Sequence, residues 1–267
     1  MPRVSVEDGS VSYEVYGDGP WVLFVQGVGL GGRAWTPQVR ELSRDHRCVV
    51  FDNRGIGGSH GSTRRLSVDM MARDALAVLD ALGIEQTHLV GHSLGGVIVQ
   101  RMALSAPKRC ASLAFLCTFA GGQDLGSPSA RLMWLGMRSR LGTREMRRRA
   151  FARLVMPESY LERCGDDRVI GELEEVFGHP LWQSSPLADR QLRALRAYDD
   201  RGELPKLAAL RCLVLSGRLD PIATHQANVT LAQAIGAKHK VWEDASHALP
   251  IQHATEVNAA LRDHFAR

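Results

Sequence analysis

The chain has 267 residues, of which 45% are hydrophobic and 23% charged, with a formal net charge of +4. That length accommodates one large core, and the composition is ordinary for a globular protein. No apolar run approaches the roughly 20 residues a membrane-spanning helix needs, and Met1-Pro2-Arg3-Val4 enters an alternating pattern with no apolar signal core, so a cytoplasmic protein without a membrane partner is expected.

In chain order, residues 4–15 alternate apolar and polar around Asp8-Gly9 and read as two strands joined by a tight turn. Short apolar runs follow at 21–25, 48–51, 87–90, 111–116, 211–215 and 239–242. Helical patterns lie between them at 37–44, 68–82, 95–105 and 224–235, with a last one at 254–265. Repeated β-α-β alternation predicts an α/β fold, a mostly parallel sheet covered by helices on both faces. Residues 121–205 break the pattern. Met146, Ala150, Phe151, Leu154 and Val155 recur at helical spacing, as do Val169, Ile170, Leu173, Val176 and Phe177, and Ser185-Pro186 reads as a helix start. An all-helical insert is expected there, where a lid over the C-terminal edge of the sheet would sit.

Five widely spaced cysteines without a CxxC pair predict reduced, structural thiols, with no disulfide frame and no metal site. Residues 131–153 hold eight arginines and one acid, Glu145, whereas 157–175 hold seven acids and two arginines. Adjacent segments of opposite sign point to helices that neighbour each other, not to a nucleic-acid surface.

Strand 87–90 runs into Gly91-His92-Ser93-Leu94-Gly95-Gly96 and then a helix, so GxSxG stands in the strand–turn–helix setting its chemistry needs. The turn is tight enough that only very small residues fit two before and two after the serine. Ser93 is the candidate nucleophile. A serine hydroxyl needs a base, and the base an orienting carboxylate. Asp220 follows strand 211–215 and His247 follows strand 239–242, so all three project from one sheet edge. Asp244 is the rival acid, but it lies too close to His247 in sequence and is expected to hold the loop.

The order Ser93, Asp220, His247, each past a strand, resembles the lid-bearing branch of the α/β-hydrolase superfamily. Asp52-Asn53-Arg54-Gly55-Ile56-Gly57-Gly58-Ser59 is similar to that family's DxRGxGxS turn. The resemblance implies a sheet of about eight strands, a core of residues 1–120 and 206–267, and a helical cap over 121–205. It also implies an oxyanion hole of two backbone N–H groups, Leu94 after the nucleophile and Val28 in the first loop. The family usually carries His-Gly in that loop; here the residues are Gln26-Gly27.

A competing reading starts from the same loop. Gly27, Gly29 and Gly32 spell GxGxxG after a strand, and Asp52 lies at the spacing of a ribose-binding acid. Thr36-Pro37, however, reads as N-cap and first helical residue, so the helix starts after the glycines. A helix running from Gly29 would hold Pro37 in its interior at about 3 kcal/mol.

The triad implies ester hydrolysis through an acyl-enzyme, needing neither metal nor cofactor, with a small or medium ester or lactone as substrate. Families of this kind also open enol-lactones, hydrolyse carbon–carbon bonds and perform cofactor-free perhydrolysis, and fold resemblance does not rank these. From another class, a hydrolase-fold small-molecule receptor would use the opposed charges of the insert as a docking surface. Oligomeric state is not legible.

Overall fold

The structure is a computed structural model that describes residues 1–125, 129–183, 185 and 187–266. Its strands are β1 (Arg3–Val6), β2 (Gly9–Tyr16), β3 (Trp21–Val25), β4 (Arg47–Phe51), β5 (His60–Gly61), β6 (Thr87–His92), β7 (Cys110–Leu116), β8 (Cys212–Gly217) and β9 (Lys238–Trp242). The helices of the sheet region are α1 (Thr36–Leu42), α2 (Val68–Ala81) and α3 (Leu94–Ser105). Between β7 and β8 come α4 (Ala130–Arg138), α5 (Arg144–Val155), α6 (Glu158–Cys164), α7 (Asp166–Phe177) and α8 (Ala188–Ala197). The chain ends with α9 (His225–Ala234), α10 (Leu249–Gln252) and α11 (Ala254–Phe265).

All nine strands share one sheet, ordered β1-β2-β4-β3-β6-β7-β8-β9 with β5 beside β2. From β4 to β9 every pairing is parallel, whereas β2 runs antiparallel to β1, β4 and β5. The ninth strand beyond the expected eight is β5, a two-residue pairing on β2. The central strands read as continuous apolar runs because both faces are covered: β6 and β8 are buried at every residue. The first hairpin forms where Asp8 accepts a left-handed backbone, φ 57°, before Gly9.

Two expected helix starts differ. Thr36 is the first residue of α1 and not its cap, because a 3-10 turn over Gly32–Trp35 feeds straight into the helix and makes Trp35 the N-cap. The Thr36 hydroxyl instead donates to Arg33 O at 2.6 Å. The other start was expected at Ser185-Pro186. Pro186 lies outside the described residues, and α8 begins at Ala188 after a turn in which Ser185 O accepts from the Ala188 N–H.

The insert has its own apolar cluster, built on Ala152, Val155, Leu161, Val169, Ile170, Leu173 and Phe177 and joined to the sheet region through Ala34 and Ala248. Its opposed charges meet as expected. Arg148 grips Glu174 through two bonds of 2.8 and 2.9 Å, and Arg149 and Arg153 share Asp166 at 2.9 and 2.8 Å.

Candidate active site

Strand β6 delivers Ser93 into a turn that L-residues rarely adopt, with φ 54° and ψ −121°. The turn is fixed on both sides. The Ser93 N–H donates to Leu116 O at 3.0 Å, and its carbonyl accepts from the Thr118 hydroxyl at 2.5 Å. A Cβ on Gly91 would collide with the Gly95 carbonyl, and one on Gly95 with the Val25 carbonyl, which explains both glycines of the motif. Helix α3 begins at the next residue, so its free N–H groups and the positive end of its dipole stand at the serine.

Asp220 sits just past β8 with its side chain fully shielded from solvent. One carboxylate oxygen, Oδ1, accepts the N–H groups of Ile222 and Ala223 at 2.8 and 3.0 Å. The other, Oδ2, lies 2.8 Å from His247 Nδ1. Ser93 and His247 both line one cavity of about 560 Å³, and Asp220 stands behind the imidazole. The Ser93 hydroxyl forms no hydrogen bond among the described residues; bonds of this kind are often long in unliganded sites and tighten with substrate. Asp244 points elsewhere, its carboxylate 3.1 Å from His253 Nε2 and its carbonyl bound by Gln252.

The first loop approaches the serine closely. An added Cβ on Gly27 would lie 3.0 Å from Ser93 Cβ. Val28 borders the cavity, and neither its N–H nor that of Leu94 meets an acceptor among the described residues. The loop is held by Gln26, whose Oε1 accepts the Gly27 N–H at 2.7 Å and lies 3.0 Å from His92 Nδ1. From the other side, Gln191 of α8 accepts the Gly29 N–H at 2.7 Å. The second ring nitrogen of His92 is 2.9 Å from the carbonyl of His247, so one imidazole touches both the loop and the His247 segment. Burial, reinforced by the neighbouring His247, pushes the His92 pKa down to about 3 and keeps the ring neutral.

His92 and Gln191 carried no role in the sequence reading. His92 had one available signal, its place inside the GxSxG turn, whereas nothing local marks Gln191. The Asp52–Ser59 segment forms a structural turn. Asp52 receives the N–H groups of Gly32 and Gly58 at 2.8 and 2.9 Å, and Arg54 is buried against Asp74 through bonds of 2.9 and 2.7 Å. Each Asp52 oxygen thus takes a backbone N–H, which accounts for the residue as part of the turn, and α1 starts only after the glycines, at Thr36. Among the described residues no cluster of three or more His, Cys, Asp or Glu is arranged to hold a metal, and no helix is long and apolar enough to cross a membrane.

A family model described as alpha/beta hydrolase fold matches residues 20–254. A protein of Variovorax paradoxus named as a carbamate hydrolase, RutD, is 29% identical to this chain, with 96% of each chain covered. The pimeloyl-[acyl-carrier protein] methyl ester esterase of Aeromonas hydrophila is 29% identical, over 96% of this chain and 99% of its own. Among solved structures, the enol-lactonase of Burkholderia xenovorans LB400 superposes with a TM-score of 0.83 at 26% identity, over the full length of both chains.

Proposed function

The chain belongs to the alpha/beta hydrolase fold family and is a hydrolase, and from that premise we propose that it is a serine carboxylesterase acting on small to medium esters. Ser93 is the nucleophile, His247 the general base and Asp220 the group that fixes the imidazole. The observation that carries this reading is a hydroxyl on a strained turn sharing one cavity with a histidine whose Nδ1 is bonded to a fully shielded carboxylate.

In the proposed reaction Ser93 Oγ attacks the ester carbonyl carbon while His247 Nε2 takes its proton. The N–H groups of Leu94 and Val28 receive the developing oxyanion. The acyl C–O bond then breaks, His247 protonates the departing alkoxide, and a water activated by the same imidazole releases the acid. Asp220 stabilises the transient imidazolium, and its two backbone bonds keep it from turning away. Residues 121–205 act as a cap over the core of 1–120 and 206–267; Leu132, Phe151, Leu154 and Leu192 supply apolar wall for the acyl chain. The relatives' names, a carbamate hydrolase, a methyl ester esterase and an enol-lactonase, support an acyl carbonyl as the reacting group.

The test is hydrolysis of p-nitrophenyl acetate, butyrate and octanoate by the parent and by Ser93→Ala. The parent should turn over, and the variant should lose at least about 1,000-fold in kcat. Equal rates from the two proteins would overturn the assignment.

A further inference from the structure

The permanently charged side chains that line the cavity beside Ser93 are of one sign among the described residues. Among its lining residues are two arginines, Arg140 and Arg196, and no aspartate or glutamate. Arg140 is ion-paired with Asp189 at 2.7 Å. Arg196 has neither a hydrogen bond nor an ion pair among the described residues. It differs in this from Arg131, Arg148, Arg149 and Arg153 of the same insert, each of which meets a carboxylate.

The position of Arg196 on its helix is not that of an ordinary solvent-facing residue. Ala188, Leu192, Leu195 and Arg196 recur at the spacing that places side chains on one face of a helix, and all four line the cavity. Arg190 and Arg193 lie off that face; Arg190 bonds the Thr63 hydroxyl instead. Arg196 thus lines the cavity and is also exposed to solvent, a setting in which an arginine stem covers apolar surface while its charged head stays in water. A guanidinium in that setting offers paired N–H donors to a carboxylate, and its weak hydration lowers the cost of making that pair.

We propose that Arg196 is a substrate-binding residue that recognises a carboxylate, so that the preferred substrate is a half-ester or lactone whose acyl chain ends in an acid group. The assignment rests on the serine-esterase reading of the same cavity. The ester carbonyl lies at Ser93, the methylene chain runs along the apolar wall, and the distal carboxylate pairs with Arg196. That carboxylate takes no part in bond making: the acyl C–O bond breaks and water supplies the new oxygen, so a half-ester gives a dicarboxylate plus the alcohol and a lactone gives a single hydroxy-dicarboxylate.

The experiment compares kcat/KM for the mono-p-nitrophenyl esters of glutarate and adipate with that for the neutral pentanoate and hexanoate of equal length. The ratio of anionic to neutral substrate should exceed one by about tenfold in the parent, the size of one charge-assisted pair, and should be carried by KM. It should fall towards one in Arg196→Gln and below one in Arg196→Glu. It should stay at the parent value in Arg193→Gln, and it should shrink with added salt because the guanidinium is exposed. An unchanged ratio in Arg196→Gln, with turnover that still depends on Ser93, overturns the carboxylate site and leaves the esterase reading standing. No Ser93-dependent turnover of any of the four esters overturns both.

Discussion

Replacing Asp220 by asparagine isolates the orienting role of the carboxylate from its role in holding the loop. Oδ1 of Asp220 receives two backbone N–H groups, from Ile222 and Ala223, at 2.8 and 3.0 Å. An asparagine keeps both bonds only if its carbonyl oxygen occupies that place. The reverse orientation would set an NH2 group against two buried donors, at about 1–3 kcal/mol for each group left unsatisfied. The amide is therefore locked with Nδ2 toward His247 Nδ1, where Oδ2 now stands at 2.8 Å. Nδ1 must then accept, the ring proton moves to Nε2, and the nitrogen that should take the Ser93 proton no longer has a free lone pair. The expected loss in kcat is about 1,000- to 10,000-fold, or about 4–5.5 kcal/mol of barrier. Steady-state hydrolysis of p-nitrophenyl butyrate measures it, with thermal melting to confirm that the fold is intact. Asp244→Asn, at an exposed carboxylate whose one ion pair among the described residues is with His253, should stay within about twofold of the parent. Asp220→Asn retaining more than about a tenth of parental kcat would refute the tautomer argument, and a collapse in Asp244→Asn would move the orienting role there.

Two further predictions concern the scaffold. Gly95→Ala drives a Cβ into the carbonyls of Val25 and Gln26 and should destabilise by about 3 kcal/mol or more, whereas Gly171→Ala, in the interior of α7 with open space around it, should stabilise by about 0.5–1 kcal/mol; urea denaturation of both variants checks the contrast, and equal effects would refute it. Stability should also fall with acid before the carboxylates titrate. Burial pushes His88 down to about 4 and His92 to about 3. Both then stay neutral in the folded protein at a pH where the unfolded chain has already protonated them. Their contribution is complete above the ordinary histidine pKa and is lost as pH drops from about 6.5 towards 4, at a slope approaching about 1.4 kcal/mol per pH unit for each ring. His88→Gln keeps a bond to the Ser112 hydroxyl within reach and should flatten that slope, as read by chemical denaturation between pH 7 and 4.5; an unchanged slope would refute the assignment.

The strands were legible because the sheet buries them on both faces, so β3, β6, β7 and β8 appear as short apolar runs bounded by polar or glycine-containing turns. The insert was legible only in part. Helices α5 and α7 pack Ala152, Val155, Ile170 and Leu173 into a shared cluster, which imposes a helical period on the sequence. Helix α4 buries Leu135 and leaves Met133, Trp134 and Met137 half exposed or more, so its apolar residues do not mark a core face. At the candidate site, Ser93, Asp220 and His247 stood out in the sequence because each follows a strand of one parallel sheet. The bonds of Gln191 to Gly29 and of His92 to His247 span 162 and 155 residues, and no local pattern encodes such pairs.

Gln26 stands where the family usually has histidine, and the proton inventory around His92 gives a reason for the difference. Gln26 Oε1 accepts the Gly27 N–H at 2.7 Å and lies 3.0 Å from His92 Nδ1, which is a donor in one of the two neutral tautomers of the ring. An amide oxygen has two lone pairs and can serve both, whereas a neutral imidazole offers a single acceptor nitrogen. In the tautomer where His92 Nδ1 carries the proton, histidine at position 26 would leave either the loop or His92 without its bond. The amide cannot be turned over, because its NH2 would then meet the Gly27 N–H. His92, for its part, is held neutral by burial and carries one proton for two oxygens, Gln26 Oε1 and the His247 carbonyl at 2.9 Å. The ring thus donates to one and only abuts the other. Donation from Nδ1 ties the loop that presents Val28, while donation from Nε2 ties the main chain that presents His247. The tautomer of one buried imidazole therefore sets which half of the site is held more firmly.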